Sequence, residues 1–335
     1  MKYYILSKPT NKEFNELEEF IQQHPNGNYF QSTSFFKSCK RKFIPYYIVA
    51  SQNDKIKGVL LVFKQIQIKK PFLSFLSSRN IIWGGPLIHD NDTEVCEGIL
   101  NAYEKFRPKS IYTQIRNLCD TFLLKDTLVR NGFNYEEHLD ILIDLTKSEE
   151  QLWSEINPKG KNKIRKAIKE GVTFSIDNTK EALQDCYTVL EEVYLRAKLP
   201  LPDFDHFISL YENSRDNEGL AIGVVKYEGK IIGCMLCLLY KDVVFDYYAG
   251  ALSAFYKKRP NDVMPWEIFR WGKSEGYKVF DFGGAGKPNV PYGVRDYKLK
   301  YSKELVNYGR YEKIHYPMLY KMVLLGFNML KKFKK

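Results

Sequence analysis

At 335 residues, with 44% apolar and 27% charged side chains, the chain is too apolar to be disordered. No stretch reaches the roughly 20 uninterrupted apolar residues of a membrane-spanning helix. A net charge of +11, from 51 Lys and Arg against 40 Asp and Glu, favours anionic partners without choosing among nucleic acid, nucleotide-linked substrates and an acidic membrane face.

The opening MKYYILSKPTNKEF lacks the apolar run of a signal peptide, so a cytoplasmic protein is expected. A polar helix over Glu13–Gln23 precedes PYYIVASQNDKIKGVLLVFKQ, which reads as strand, turn at Asn53-Asp54 and longer strand. An apolar stretch with WGGP, a helix over Glu94–Phe106 and a strand, SIYTQIRN, follow. The second half repeats the order. GLAIGVVKYEGKIIGCMLCLLY turns at Glu228-Gly229, then come VVFDYYAGAL, a helix over Pro265–Glu275 stopped at Gly276, and the strand KVFDFGG. Two copies of such a unit predict an α/β (α+β) protein. Each half is a mixed, mostly antiparallel sheet flanked by helices, with a cleft between them.

The halves are placed at residues 1–147 and 172–312. Between them, residues 148–171 form a basic helical linker beginning near Ser148, where Lys159, Lys161, Lys163, Arg165, Lys166 and Lys169 face one nearby acid, Glu170. This is either a solvated helix face or an anion-binding surface, since like charges at helical spacing repel. Residues 313–335, which hold no acidic side chain, predict a basic amphipathic helix. It reads as an interfacial contact with the inner membrane surface, with docking on the protein's own core as the other reading.

The six cysteines are scattered, and Cys234 and Cys237 lie in an apolar strand where residues three apart face opposite ways, so they read as core thiols. The five histidines show no metal-ligand spacing, and no metal is expected. No G-x-S-x-G, HExxH or Cys–His nucleophile pattern is present. GGAGK lacks phosphate-loop spacing because Pro288 follows Lys287. The richest stretch is Phe280–Arg310. Glycines after Asp281 allow close approach of a ligand, and Arg295, Lys298 and Lys300 stand among Tyr292, Tyr297 and Tyr301. As a strand, Lys298 and Lys300 share one face and Tyr297, Leu299 and Tyr301 the other. Direct transfer of an activated acyl group to an amine suits this inventory. It needs positioning, proton removal and donors for an oxyanion.

DFGG followed by Tyr297-Lys298-Leu299-Lys300-Tyr301 resembles the DFGG and FK elements of the Fem-type aminoacyltransferases, which are built of two tandem GNAT-like domains. QSTSFFKSCK, WGGPLIHD and LWSEINPKGKNKIRKAIKEGVTF resemble further elements of that family in the same order, across almost the whole chain. The resemblance implies transfer of an amino acid from aminoacyl-tRNA to an amine of a UDP- or lipid-linked muramyl peptide, with no cofactor. The first domain would bind the precursor and the second would serve donor and catalysis.

Carried over, Lys298 is the lysine of the FK pair, next to the tRNA acceptor end and the transferring carbonyl. Tyr297 takes the place of the phenylalanine, and Ser302 replaces a glycine. Tyr248 joins them as catalytic. Lys37, Lys40, Asp90, Tyr194, Arg196, Tyr247, Asp281, Tyr292, Arg295 and Lys300 are implied substrate contacts. Two alternatives stay open: an N-acyltransferase using acyl-CoA on an envelope polysaccharide or lipid, and a non-catalytic, membrane-associated RNA-binding module. KKRPNDVM stands where a Gly-rich diphosphate turn is expected, which weighs against acyl-CoA.

Overall fold

The computed structural model describes the chain except residues 40–42, 69, 216 and 334–335; for residues 71–72 and 326–333 it describes the backbone alone. The chain divides into two compact units: Met1–Glu137 with Tyr308–Lys335, and His138–Asn307.

The first unit's sheet runs β1 (Lys2–Leu6), β2 (Phe43–Gln52), β3 (Lys55–Ile66), β4 (Ser78–Trp83), β6 (Tyr112–Arg116), β15 (Arg310–Ile314), β7 (Asn134–Glu136), with β5 (Leu87–Ile88) also on β3. The second runs β14 (Leu305–Asn307), β8 (Leu139–Asp144), β13 (Val279–Gly286), β12 (Val243–Ala251), β11 (Lys230–Tyr240), β10 (Gly219–Tyr227), β9 (Thr173–Ile176). Each sheet holds one parallel pair, β4–β6 and β12–β13, among antiparallel neighbours. Helices α1 (Asn11–Gln23), α2 (Thr33–Ser38), α3 (Pro71–Leu76), α4 (Thr93–Phe106), α5 (Lys125–Arg130) and α12 (Pro317–Phe333) belong to the first unit. The second has α6 (Glu149–Glu155), α7 (Pro158–Lys169), α8 (Lys180–Arg196), α9 (Phe204–Glu212), α10 (Pro260–Ser274) and α11 (Gly293–Lys298). The mixed, helix-flanked sheets agree with the expected class.

Local chemistry explains the matching hairpins. Asn53 and Asp54, and Glu228 and Gly229, all have positive φ, the backbone that a two-residue turn between right-twisted strands requires. Ser148 caps α6 and shares a capping box with Gln151, as the sequence suggests.

The domain boundaries differ from expectation in an instructive way. β8, expected in the first half, pairs with β13 of the second sheet. β15, expected in the second half, lies between β6 and β7 of the first. Each unit thus completes its sheet with a strand that the tandem reading of the repeat assigns to the other half. The basic segment is also not a free linker. α6 and α7 place Leu152, Ile156, Ile164 and Ala167 in the second core, with their charged positions turned outward. Of these, Arg165 covers the Trp153 ring and Lys163 reaches Asp262.

Helix α10 begins five residues before the expected start. Pro260, not Pro265, is its first residue, where a missing N–H costs nothing. Pro265 is buried inside the helix, so it cannot donate to the Asn261 carbonyl. That carbonyl instead accepts hydrogen bonds from the hydroxyls of Tyr297 at 2.6 Å and Tyr301 at 3.3 Å. Residues 297–301 are therefore not a strand. α11 ends at Lys298 and a turn carries the chain on, with the Tyr297 and Tyr301 rings 5.8 Å apart against α10.

Candidate active site

The second unit's parallel pair is short. β12 and β13 stay in register only from Val243–Val279 to Phe245–Asp281 and then separate. Just beyond, β12 carries an extra residue against β11: Leu236 faces Tyr248, Cys237 faces Asp246, and Tyr247 has no opposite number. Such a bulge re-aims side chains. Tyr247 bonds His206 through its hydroxyl at 2.8 Å, and the Tyr248 ring packs on Tyr194 and Phe207, all towards α8 and α9. Asp246, opposite the core residue Cys237, instead faces Lys298 and Tyr297 of α11.

Where β12 leaves, the β13 carbonyls lose their ladder partners, and unmade buried hydrogen bonds are costly. Lys298 supplies them. Only 7% exposed, its ammonium donates to the carbonyls of Phe282 at 2.5 Å, Gly283 at 3.1 Å and Gly284 at 3.0 Å, which uses all three of its N–H groups. The turn it grips is built by glycine. Gly283 has φ +66, and a Cβ there would lie 3.2 Å from the Phe245 ring.

Asp281 does not present itself to a ligand. It is 5% exposed and accepts the Gly283 N–H at 2.6 Å. Burial, reinforced by a hydrogen bond and repulsion with the equally buried Asp140, pushes it well above the usual carboxylate range. The two acids together brace the turn, Asp140 accepting the Ile141 N–H and Asp281 that of Gly283. Arg295 is likewise committed inward. Its guanidinium donates to the carbonyls of Ala285, Lys287 and Val290 at 3.3, 2.7 and 2.6 Å, holding the loop that follows β13. Tyr297, expected to be catalytic, gives its hydroxyl to the Asn261 carbonyl at 2.6 Å. Tyr292 is 40% exposed and covers Gly286.

Lys300 contacts the Asp262 carboxylate at 3.5 Å, and Lys163 of α7 approaches the same oxygen at 3.8 Å. Asp262, Lys300, Arg259, Tyr256 and Tyr297 line a cavity of about 250 Å³ at the start of α10. Arg196 is half-exposed, paired with Glu192 and bonded to the Tyr256 hydroxyl. Among the residues expected from sequence, then, Lys298, Tyr297, Asp281, Arg295 and Lys300 gather on β13, α11 and the turn after it, and Tyr247, Tyr248 and Tyr194 stand at the bulge. Lys37 and Asp90 belong to the first unit. Lys37 is exposed over the Phe14 ring, and Asp90 is exposed beside His89 at φ +55. Lys40 lies outside the described residues.

Three acids escaped the sequence reading: Asp140, Asp246 and Asp262. The available signal was a carboxylate among apolar residues, Asp140 in LDILI for the first and Asp246 in VVFDYY for the second.

Residues 159–299, which include Lys298, Asp246 and Asp281, match the family model "Acetyltransferase (GNAT) domain". The chain is 22% identical over 331 residues to UDP-N-acetylmuramoylpentapeptide-lysine N(6)-alanyltransferase of Weissella viridescens, covering 90% of this chain and 94% of that one. It is 19% identical to the lipid II:glycine glycyltransferase of Staphylococcus haemolyticus (strain JCSC1435), covering 92% and 93%. The resemblance to the Fem-type transferases holds along the chain. The crystal structure of FemX superposes with a TM-score of 0.75, at 15% identity, over 96% of this chain and 99% of that one. The chain thus shares the fold of FemX over almost its whole length, with two mixed, helix-flanked sheets. The open parallel pair with its buried lysine lies in the one that the GNAT model matches.

Proposed function

We propose that the protein is an aminoacyltransferase that moves an amino acid from aminoacyl-tRNA to an amine of a muramyl-peptide precursor, building a peptidoglycan interpeptide bridge. The observation that carries this reading is the Lys298 ammonium at the fork of β12 and β13, in a chain similar over nine-tenths of its length to a muramoylpentapeptide alanyltransferase. The amine attacks the ester carbonyl, the bond to the ribose oxygen breaks, and negative charge develops beside the fork. Lys298 supports that charge from its carbonyl cradle, where low surrounding polarity strengthens its field. Tyr194, Tyr247 and Tyr248 line the acceptor side, and Lys37 and Asp90 of the first unit contact the precursor. The outward lysines of α7 suit the tRNA backbone.

An acyl-CoA donor is the second reading. Asp262 counts against it: an anionic carboxylate in the first turn of α10 sits in the cavity there, with Lys163 and Lys300 already turned to it. A diphosphate would meet that charge.

The reading extends to the cytoplasmic membrane face. Among the described residues no helix is long and apolar enough to cross a membrane. On α12, however, Met318, Met322 and Leu325 are 82, 66 and 62% exposed, and residues 317–335 hold five lysines and no acid. Apolar contact plus cationic charge suits peripheral binding to an anionic leaflet, where lipid-linked precursors reside.

The test is transfer of labelled amino acids from charged total tRNA to UDP-linked and lipid-linked muramyl peptides by wild type and Lys298→Met. Label on a precursor that disappears with the variant supports the reaction and names both substrates. Transfer from acyl-CoA alone overturns the donor, and unaltered RNA binding with no transfer by wild type supports a non-catalytic RNA-binding role.

A further inference from the structure

The mechanism above leaves the proton of the attacking amine without a destination, and Lys298, with all three N–H groups given to carbonyls, cannot take it. Three other acids near the fork are also committed. Asp140 and Asp281 bond to each other and to backbone N–H groups, and Asp262 is held by two lysines.

Asp246 is different. It is the first residue of β12 beyond the last pair with β13, so it stands at the point where the strands part. The bulge at Tyr247 turns it towards Lys298 and Tyr297 of α11, with Tyr194 of α8 still within electrostatic reach. Its carboxylate is half-buried, and among the described residues none donates a hydrogen bond to it or forms an ion pair with it. A carboxylate placed at a strand fork without a partner is costly to keep unless a ligand completes its surroundings.

Resting on the transfer reaction proposed above, we propose that Asp246 is the general base for the attacking amine. As the new N–C bond forms and the ester C–O bond breaks, the amine proton passes to the Asp246 carboxylate, and the same carboxyl returns it to the departing ribose oxygen. Atoms and charge balance with no further reactant. The titratable groups facing Asp246 are Lys298 and Tyr297 of α11, Tyr194 of α8 and Cys237 of β11. Burial raises its carboxyl to about 6 and the Lys298 ammonium holds it from rising further, so it is ionised yet basic near neutrality.

Asp246→Asn keeps the shape and removes the base. In single-turnover transfer it is expected to slow the reaction by about 10²–10³-fold with little change in half-saturation by either substrate. The acidic limb of the wild-type rate profile, with its midpoint near pH 6, should vanish, and Asp246→Glu should recover at least tenfold of the loss. Carboxyl NMR of ¹³C-aspartate-labelled protein gives a readout independent of activity: a resonance titrating near 6 that is absent from Asp246→Asn. An unchanged rate and acidic limb in Asp246→Asn overturns the inference, and so does a midpoint below about 5 for that resonance. If wild type transfers nothing from charged tRNA, the donor reading fails instead. The same variants assayed with acyl-CoA, together with the titration, then decide Asp246 separately.

Discussion

The two units share a plan and differ where it matters. In both, the strand that pairs with the long hairpin is interrupted near the parallel pair. Between the pairs Phe63–Ile81 and Val59–Leu87, β3 spends residues 60–62 while the facing chain spends residues 82–86, with Gly84 and Gly85 at positive φ. In the second unit the interruption is one residue, Tyr247, and acidic and aromatic side chains replace the glycines. The first unit's parallel pair stays closed for five residue pairs, Arg79–Tyr112 to Trp83–Arg116, whereas the second opens after three. Only the opened pair needs a buried lysine to satisfy its carbonyls. One unit keeps its parallel pair closed, and the other leaves the gap at which the proposed transfer is placed.

The largest effect should come from removing the exchanged strand. A chain ending at Asn307 loses β15 and the buried Tyr311 from between β6 and β7, so the first unit should fail to unfold cooperatively and the protein should aggregate. A chain ending at Tyr316 keeps β15 and should retain one sharp thermal transition. A sharp transition in both would show that β15 is dispensable. Next, Lys298→Met should cost about 2 kcal/mol in denaturant unfolding beyond its loss of transfer, because it strips the donors from the opened β13. Unchanged stability would mean that water replaces the ammonium freely.

Tyr297→Phe should destabilise by about 1 kcal/mol, since Asn261 keeps only the longer Tyr301 bond, while transfer stays within a few-fold of wild type. A hundredfold loss would restore the phenol to the chemistry. The smallest effect concerns His315 in the first unit, which shares a 2.7 Å hydrogen bond with Thr113. Burial, helped by Arg107, pushes its imidazole down to about 4. The folded form therefore favours the neutral ring. This contribution is full above about pH 6.5 and is lost as pH falls towards 4. Discounted for its partial exposure, it is roughly 1 kcal/mol. The fall in urea midpoint over this window should flatten in His315→Gln.

Hairpins, turns and the duplication were legible because alternation and positive-φ turn residues are local properties of the chain. The linker's burial could not be read so directly, because the charges of α7 mask a narrow stripe of Ile164 and Ala167. Lys298 was found through resemblance, but its job was not: three carbonyl partners fourteen to sixteen residues away exist only once β12 departs. The place of Tyr297 is hidden from the sequence for the same kind of reason. Its partner is a carbonyl released by Pro265, and that proline looked like the beginning of a helix rather than a gap inside one.

The reciprocal strand exchange also sets a schedule for synthesis. When residue 137 leaves the ribosome, β6 and β7 are present but the strand that joins them is not. At roughly 5–20 residues per second, residues 138–314 take roughly 10–35 s more to emerge. Throughout that interval the nascent first sheet holds two unpaired edges, a natural substrate for a chaperone.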